Sequence, residues 1–515
     1  MTLAEMSSVS SRSNHLGKAQ VAEAATCSRR TALKFATALA LAPLIKVRVA
    51  GADPPCARIV SQSDLDALEA LLPGKVRLAG HPEYVSLATS WNGRYRAQPI
   101  AIVRAHAATD IALALSWARP RGIAVVARSG GHSYIGGSLT DGLVIDVSPM
   151  STVTFDASTE RATIGAGARL GPIYASLFCD HGQRTFTSGS CPSVGISGIT
   201  VGGGYSSQSR LTGLTIDAVR AFEVVLADGS IVRADARSEP DLFWALRGGG
   251  GAFGIVGGIE IATRPWLPLS VITMTWPWSA SAQAFSVWSS WISSLPSDAT
   301  SSATWTTSGT SASQRFRTQV RSLAGTAAAE ALASSLEKAV GTASTRSSST
   351  TAAPDCNESG TGSGLPSRNT SLFGAGRIPL ATGQAIKEAF EARLAEPTLF
   401  QGDSAQVISH AFGGAVSAVA PDATAFAHRN AAFLSQILAG WSANAAAPRV
   451  DANIAWVDAL RDALQPAYGG AAYLNYPDER IADWRNAYWG SNRVRLAKVK
   501  SAYDPDRVIR GKQFL

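Results

Sequence analysis

The run Arg128-Ser129-Gly130-Gly131-His132-Ser133-Tyr134 decides how the chain is read. It follows Gly122-Ile123-Ala124-Val125-Val126-Ala127, an apolar, β-branched stretch that reads as a strand. Two adjacent glycines directly after a strand let the backbone turn several N–H groups toward one anion, a phosphate-cradling nest. A plain Gly-Gly turn beside a surface histidine would look the same, so the run needs company to mean more.

Company stands on both sides. Downstream lies Gly189-Ser190-Cys191-Pro192-Ser193-Val194-Gly195-Ile196-Ser197-Gly198, continuing through Thr200-Val201 to Gly202-Gly203-Gly204. So many glycines in an apolar setting imply close approach of backbone to a flat or phosphorylated ligand; a tight loop around a small buried cysteine is the plainer alternative. A third run, Asp241-Leu242-Phe243-Trp244-Ala245-Leu246-Arg247, ends in Gly248 to Gly251 and leads into Gly254-Ile255-Val256. A fourth is Tyr473-Leu474-Asn475-Tyr476. Read as a strand, it puts Tyr473 and Asn475 on one face and Leu474 and Tyr476 on the other, so only one tyrosine faces a given site.

Around these runs the texture is α+β. Strands are expected at 122–127, 142–146, 221–226 and 254–257, with Ala227-Asp228-Gly229-Ser230 as a hairpin turn. Helices are expected at 110–119 and 239–247, the second with Pro240 in its first turn. From about Leu269, alternation over Thr273–Trp278 gives way to helical patterns at 327–339, 383–394, 423–440 and 453–464. The Ser/Thr/Gly-rich stretch 341–364 reads as a surface loop or disordered insert.

With 515 residues, 46% of them hydrophobic, the chain suits two or three globular units. It holds no apolar run long enough to span a bilayer. The net charge of +8 does not point to nucleic acid. Residues 1–52 carry a net +5 and the remainder only +3, with no basic run interleaved with aromatics. Ser28-Arg29-Arg30-Thr31-Ala32-Leu33-Lys34, an apolar run from Phe35 to Ile45 and the small-residue site Ala50-Gly51-Ala52 together match a twin-arginine export signal. Residues 1–52 are therefore expected to engage the twin-arginine machinery, and the protein to be secreted. Of five cysteines, Cys27 goes with the leader; whether Cys56, Cys179 and Cys356 form a disulfide is open.

Jointly and in this order, the four runs resemble the vanillyl-alcohol-oxidase flavoproteins with a PCMH-type FAD-binding domain, in their berberine-bridge-enzyme-like branch. The resemblance covers nearly all of 99–265 and the C-terminal segment, and is thin between. It implies an α+β fold: a bipartite FAD-binding domain at 53–268 (core 95–268), a substrate domain at 269–465 with an antiparallel sheet backed by helices, and a C-terminal segment, 466–515, returning to the FAD domain. It implies FAD held by two covalent bonds, His132 to the flavin 8α-methyl and Cys191 to C6. An imidazole nitrogen and a thiolate are suitable nucleophiles for such attachment. Further FAD contacts are implied at Arg128, Ser129, Gly130, Gly131, Ser133, Tyr134, Ser138, Gly189, Ser190, Val194, Gly195, Gly198, Gly203, Gly204, Gly254, Ile255, Val256, Tyr473 and Asn475. No metal is expected.

The resemblance also implies the reaction: hydride transfer from an alcohol or hemiacetal carbon to flavin N5, with O2 reduced to hydrogen peroxide. Tyr476 is the candidate base and Tyr473 its alternative. Val194, three residues after the tethered cysteine, stands where valine goes with oxidases and isoleucine with dehydrogenases. Export favours an oligosaccharide substrate; tailoring of a secondary metabolite such as a glycosylated antibiotic or polyketide alcohol is the alternative. A flavin-carrying binding protein without turnover would not need His132, Cys191 and Tyr476 all intact.

Overall fold

In the computed structural model, residues 60–357 and 364–515 are described. The leader, Cys27 and Cys56 lie outside them.

The first sheet is built from β1 (Val76–Arg77), β2 (Ala101–Arg104), β3 (Val125–Arg128) and β4 (Leu143–Asp146), in the order β1-β2-β4-β3. β4 runs parallel to both β2 and β3. Parallel neighbours are buried on both faces, which is why these strands read as unbroken apolar runs. The helix Ala108–Ala118 covers the sheet with Ile111, Leu115 and Trp117. A second, antiparallel sheet holds β5 (Val153–Asp156), β6 (Arg161–Gly165), β7 (Val219–Val225), β8 (Ile231–Asp235) and β9 (Ile255–Ala262), in the order β5-β6-β9-β7-β8. The expected turn joins β7 to β8, with Gly229 at φ +89°, where a side chain would be strained. The chain's end returns to β3 of the first sheet: Val125 donates to the Val508 carbonyl (2.9 Å) and accepts from the Arg510 amide (3.1 Å).

The third sheet is fully antiparallel. It contains β10 (Ser270–Trp276), β11 (Ala299–Thr307), β12 (Arg315–Ser322), β13 (Thr345–Thr350), β14 (Ser367–Gly374), β15 (Ser404–Ala411) and β16 (Phe433–Gly440). Their order is β13-β10-β12-β11-β15-β16-β14. One face packs Ile272, Trp305, Phe316 and Ile437 against helices Ser281–Trp291, Thr326–Val340, Leu380–Ala395 and Ala447–Tyr468. The other face is mostly polar.

Two expectations need correction. Residues 423–440 are not a helix: 423–432 are irregular and Phe433–Gly440 is the interior strand β16, between β15 and the edge strand β14. It is buried on both faces, so its side chains show no alternation, and such a run cannot be told from a buried helix by periodicity. The stretch 341–364 is not wholly a loop. Thr345–Thr350 pairs with β10 as an exposed edge strand, where Ser and Thr suffice because little is buried. Beyond it, Cys356 is joined to Cys179 by a disulfide.

Candidate active site

A cavity of about 480 Å³ lies among the glycine-rich runs, the Tyr473–Tyr476 segment and the polar face of the third sheet. His132 reaches it from the loop after β3. Its ring stacks on Trp91, centroids 4.6 Å apart, and is held by a backbone hydrogen bond with Ser193. Burial, then the positive charges of Arg169 and Arg128, hold its pKa down at about 4, so the imidazole is neutral near pH 7. Cys191 enters the same cavity as a free thiol, its Sγ 3.4 Å from Ser193 Oγ. The two loops meet backbone to backbone. A Cβ on Gly130 would lie 2.3 Å from the Gly195 nitrogen, and one on Gly195 would lie 2.1 Å from Ser129 Oγ. Only glycine permits that approach.

Tyr473 to Tyr476 is not a strand. The Tyr476 amide donates to the Tyr473 carbonyl (2.9 Å), closing a turn, so the inference that one tyrosine faces away fails. Both line the cavity, edge to face with centroids 5.2 Å apart. The turn is fastened to β14: the Tyr473 amide donates to Ser371 Oγ (2.9 Å), and Arg368 pairs with the buried Asp478 (2.6 Å). Removing one partner of such a buried pair costs ~3–5 kcal/mol. Tyr473 Oη accepts from the Tyr205 amide (3.0 Å) and from Asn475 Nδ2 (2.9 Å). Burial pushes its pKa up to about 12, and those donors restrain the rise. Burial, then the neighbouring Tyr134 and Tyr473 phenols, raise Tyr476 well above the ordinary tyrosine range.

Most expected site residues come together on the cavity wall: Ser129 through Tyr134, Ser138, Gly189, Ser190, Val194, Gly195, Gly198, Gly254, Val256 and Asn475. Four stand behind it. Arg128 packs under Gly131, Gly203 lies against Phe426, Gly204 against Thr215, and Ile255 is in the β9 core. Trp91, Tyr205, His410, Gln436 and the C-terminal Lys512–Leu515 also line the cavity. Tyr205 directly follows Gly202-Gly203-Gly204, but no glycine or nucleophile motif marks the others, and Gln436 lay in a segment read as helix.

The residues present suit a flavin. His132 Nε2, Arg128 Nη1 and Ser138 Oγ are buried with no hydrogen-bond partner, and glycine lines much of the wall. Residues 99–235 match the family described as FAD binding domain, and 472–513 that described as berberine and berberine like. An uncharacterized FAD-linked oxidoreductase of Bacillus subtilis, YgaK, is 30% identical over 455 residues, covering 86% of this chain and 97% of that protein.

The chain belongs to the berberine-bridge-enzyme-like flavoproteins. It is an FAD-linked oxidoreductase. A second relative, the chitooligosaccharide oxidase of Gibberella zeae, is 29% identical over 451 residues, 83% of this chain and 89% of that protein. Among solved structures, the Acremonium strictum glucooligosaccharide oxidase, described as revealing a novel flavinylation, superposes with a TM-score of 0.77. It is 25% identical, over 88% of this chain and 98% of that one.

Proposed function

We propose that this flavoprotein oxidises the hemiacetal or alcohol carbon of an oligosaccharide, with O2 as acceptor and hydrogen peroxide as product. The observation that carries this reading is one of placement. His132, Cys191 and Tyr476 line a single cavity, and that cavity also borders the polar face of a seven-stranded sheet through Gln436 and His410. Relatives named for oligosaccharide oxidation support it. Bound FAD supplies the two-electron acceptor for the hydride that leaves the substrate carbon.

The protein's part is to hold, orient and deprotonate. His132 and Cys191 tether the cofactor, and the neutral state of His132 leaves a ring-nitrogen lone pair to act as a nucleophile. Tyr476 takes the substrate hydroxyl proton at Oη, while Tyr473, fixed by Asn475 and the Tyr205 amide, positions it. Gln436 Nε2, bonded to Asn369 Oδ1 (2.7 Å) and Tyr134 Oη (3.2 Å), orders the cavity wall beside them. The leader Ser28–Ile45 supports twin-arginine export, which would deliver the folded, cofactor-loaded protein to extracellular saccharides.

Peroxide release from purified protein, screened across oligosaccharides, aromatic alcohols and glycosylated polyketides, tests the reading. Turnover of saccharides supports it; turnover confined to the aromatic or polyketide substrates replaces it with metabolite tailoring. Retention in the cytoplasm when Arg29 and Arg30 are both changed to lysine tests export, and unchanged secretion rejects it.

A further inference from the structure

The seven strands of the third sheet contain five arginines and no aspartate or glutamate. Two arginines are neutralised. Arg346 pairs with Glu330 and Glu337 on the helix side, and Arg368 pairs with Asp458 and Asp478. The other three, Arg315, Arg317 and Arg321, all lie on β12 at separations that are multiples of two, so they share one face. It is the face opposite Phe316 and Val320, which pack into the helix-backed core. Among the described residues none of the three meets a carboxylate. Arg315 bonds the Gln314 carbonyl (2.8 Å), and Arg321 bonds Ser302 Oγ (3.2 Å) and Gln319 Oε1 (2.5 Å). Arg315 and Arg317 are exposed. Like charges along one face of a strand repel one another, and no carboxylate within the sheet's strands offsets them.

The row is aligned with the cavity. Arg317 pairs across the sheet with Thr304, Thr304 with Ile408, and Ile408 with Gln436, which stands at the cavity wall. Three strand spacings, roughly 14 Å, separate Gln436 from Arg317 along this line. That is beyond a monosaccharide and within reach of a short oligosaccharide lying across the strands. The floor between is uncharged: Ser302, Thr304, Gln406 and Ile408 share the face. The arginine field reaches the cavity itself, since Arg321 adds to the burial that holds His410 at about 3.

We propose that this groove selects anionic oligosaccharides, with the terminal unit oxidised beside Tyr476 and an acidic group further along the chain held by Arg315 and Arg317. The inference rests on the oligosaccharide reading above and narrows its substrate class. The acidic group is a uronic carboxylate or a sulfate ester, both of which accept from the guanidinium fork.

The test uses flavin-loaded enzyme and three oligosaccharide sets of equal length: neutral, uronic and sulfated. kcat/KM is measured from peroxide release at low and high salt. The wild type should prefer an acidic set over the neutral one, and the preference should shrink with salt. Which acidic set is preferred names the group. The double variant Arg315→Gln/Arg317→Gln should lower the acidic-to-neutral ratio about tenfold or more, as expected for loss of charge-assisted hydrogen bonds. Its flavin absorbance reports on folding. Preference for neutral chains, or an unchanged ratio in the variant, overturns the inference while leaving the oligosaccharide reading in place. No turnover of any saccharide overturns both.

Discussion

Gly130 and Gly195 touch through their backbones: a Cβ on Gly130 would sit 2.3 Å from the Gly195 nitrogen and 2.9 Å from the Ser193 carbonyl. Two loops separated by some sixty positions in the chain are thereby brought into one register, His132 on one and Cys191 on the other. Gly130→Ala should force the loops apart at a cost of about 1–3 kcal/mol. Flavin content per polypeptide should fall more than the helix content seen by circular dichroism. An alanine variant with full flavin content would show that the contact is dispensable.

If both tethers form, denatured and acid-precipitated protein stays yellow, and its mass exceeds the polypeptide by one FAD. His132→Ala and Cys191→Ala should each leave a single bond, and the double variant should release all flavin on denaturation. Mass spectrometry of the flavin-bearing peptides checks this. Release of free flavin from the wild type would contradict it.

Tyr476→Phe should keep the flavin spectrum and slow the substrate half-reaction ~10²–10⁴-fold. Burial raises the Tyr476 pKa, so its ionised form is scarce at neutral pH and grows with each pH unit. The reduction rate should therefore climb from about pH 7 to 9 and lose that slope in the phenylalanine variant. A slope that persists moves the proton acceptor to Tyr473, whose oxygen already receives two N–H donors.

Val194 lies on the cavity wall, its amide donating to the Cys191 carbonyl (3.2 Å) and its carbonyl accepting from the Leu170 amide (3.0 Å). A methylene added on so fixed a loop must enter the cavity. Val194→Ile should slow the oxygen half-reaction far more than the substrate half-reaction, measured separately by stopped flow. Equal slowing of both would mean that the side chain acts on packing alone.

What the sequence determined by itself was local. A strand followed by Gly130-Gly131-His132, a cysteine before proline among glycines, and the Tyr-Leu-Asn-Tyr run carried the family, and with it the α+β class and the flavin. These are short-range patterns, in which residue type and spacing already state the backbone geometry. The helices at 110–119 and 453–464 were legible for the same reason, since their periodicity is complete within the segment.

Tertiary structure decided the rest. Burial on both faces made Phe433–Gly440 an interior strand against its alanine-rich surroundings, and so put Gln436 at the site. Fastening to Ser371 and Arg368 bent Tyr473–Tyr476 into a turn with both phenols on the cavity. Cross-strand register aligned Arg317 with Gln436, although 119 positions separate them in the sequence. Each of these depends on which distant segment supplies the neighbour. Burial, register and charge pairing are properties of the assembled sheet, and no window along the chain contains them.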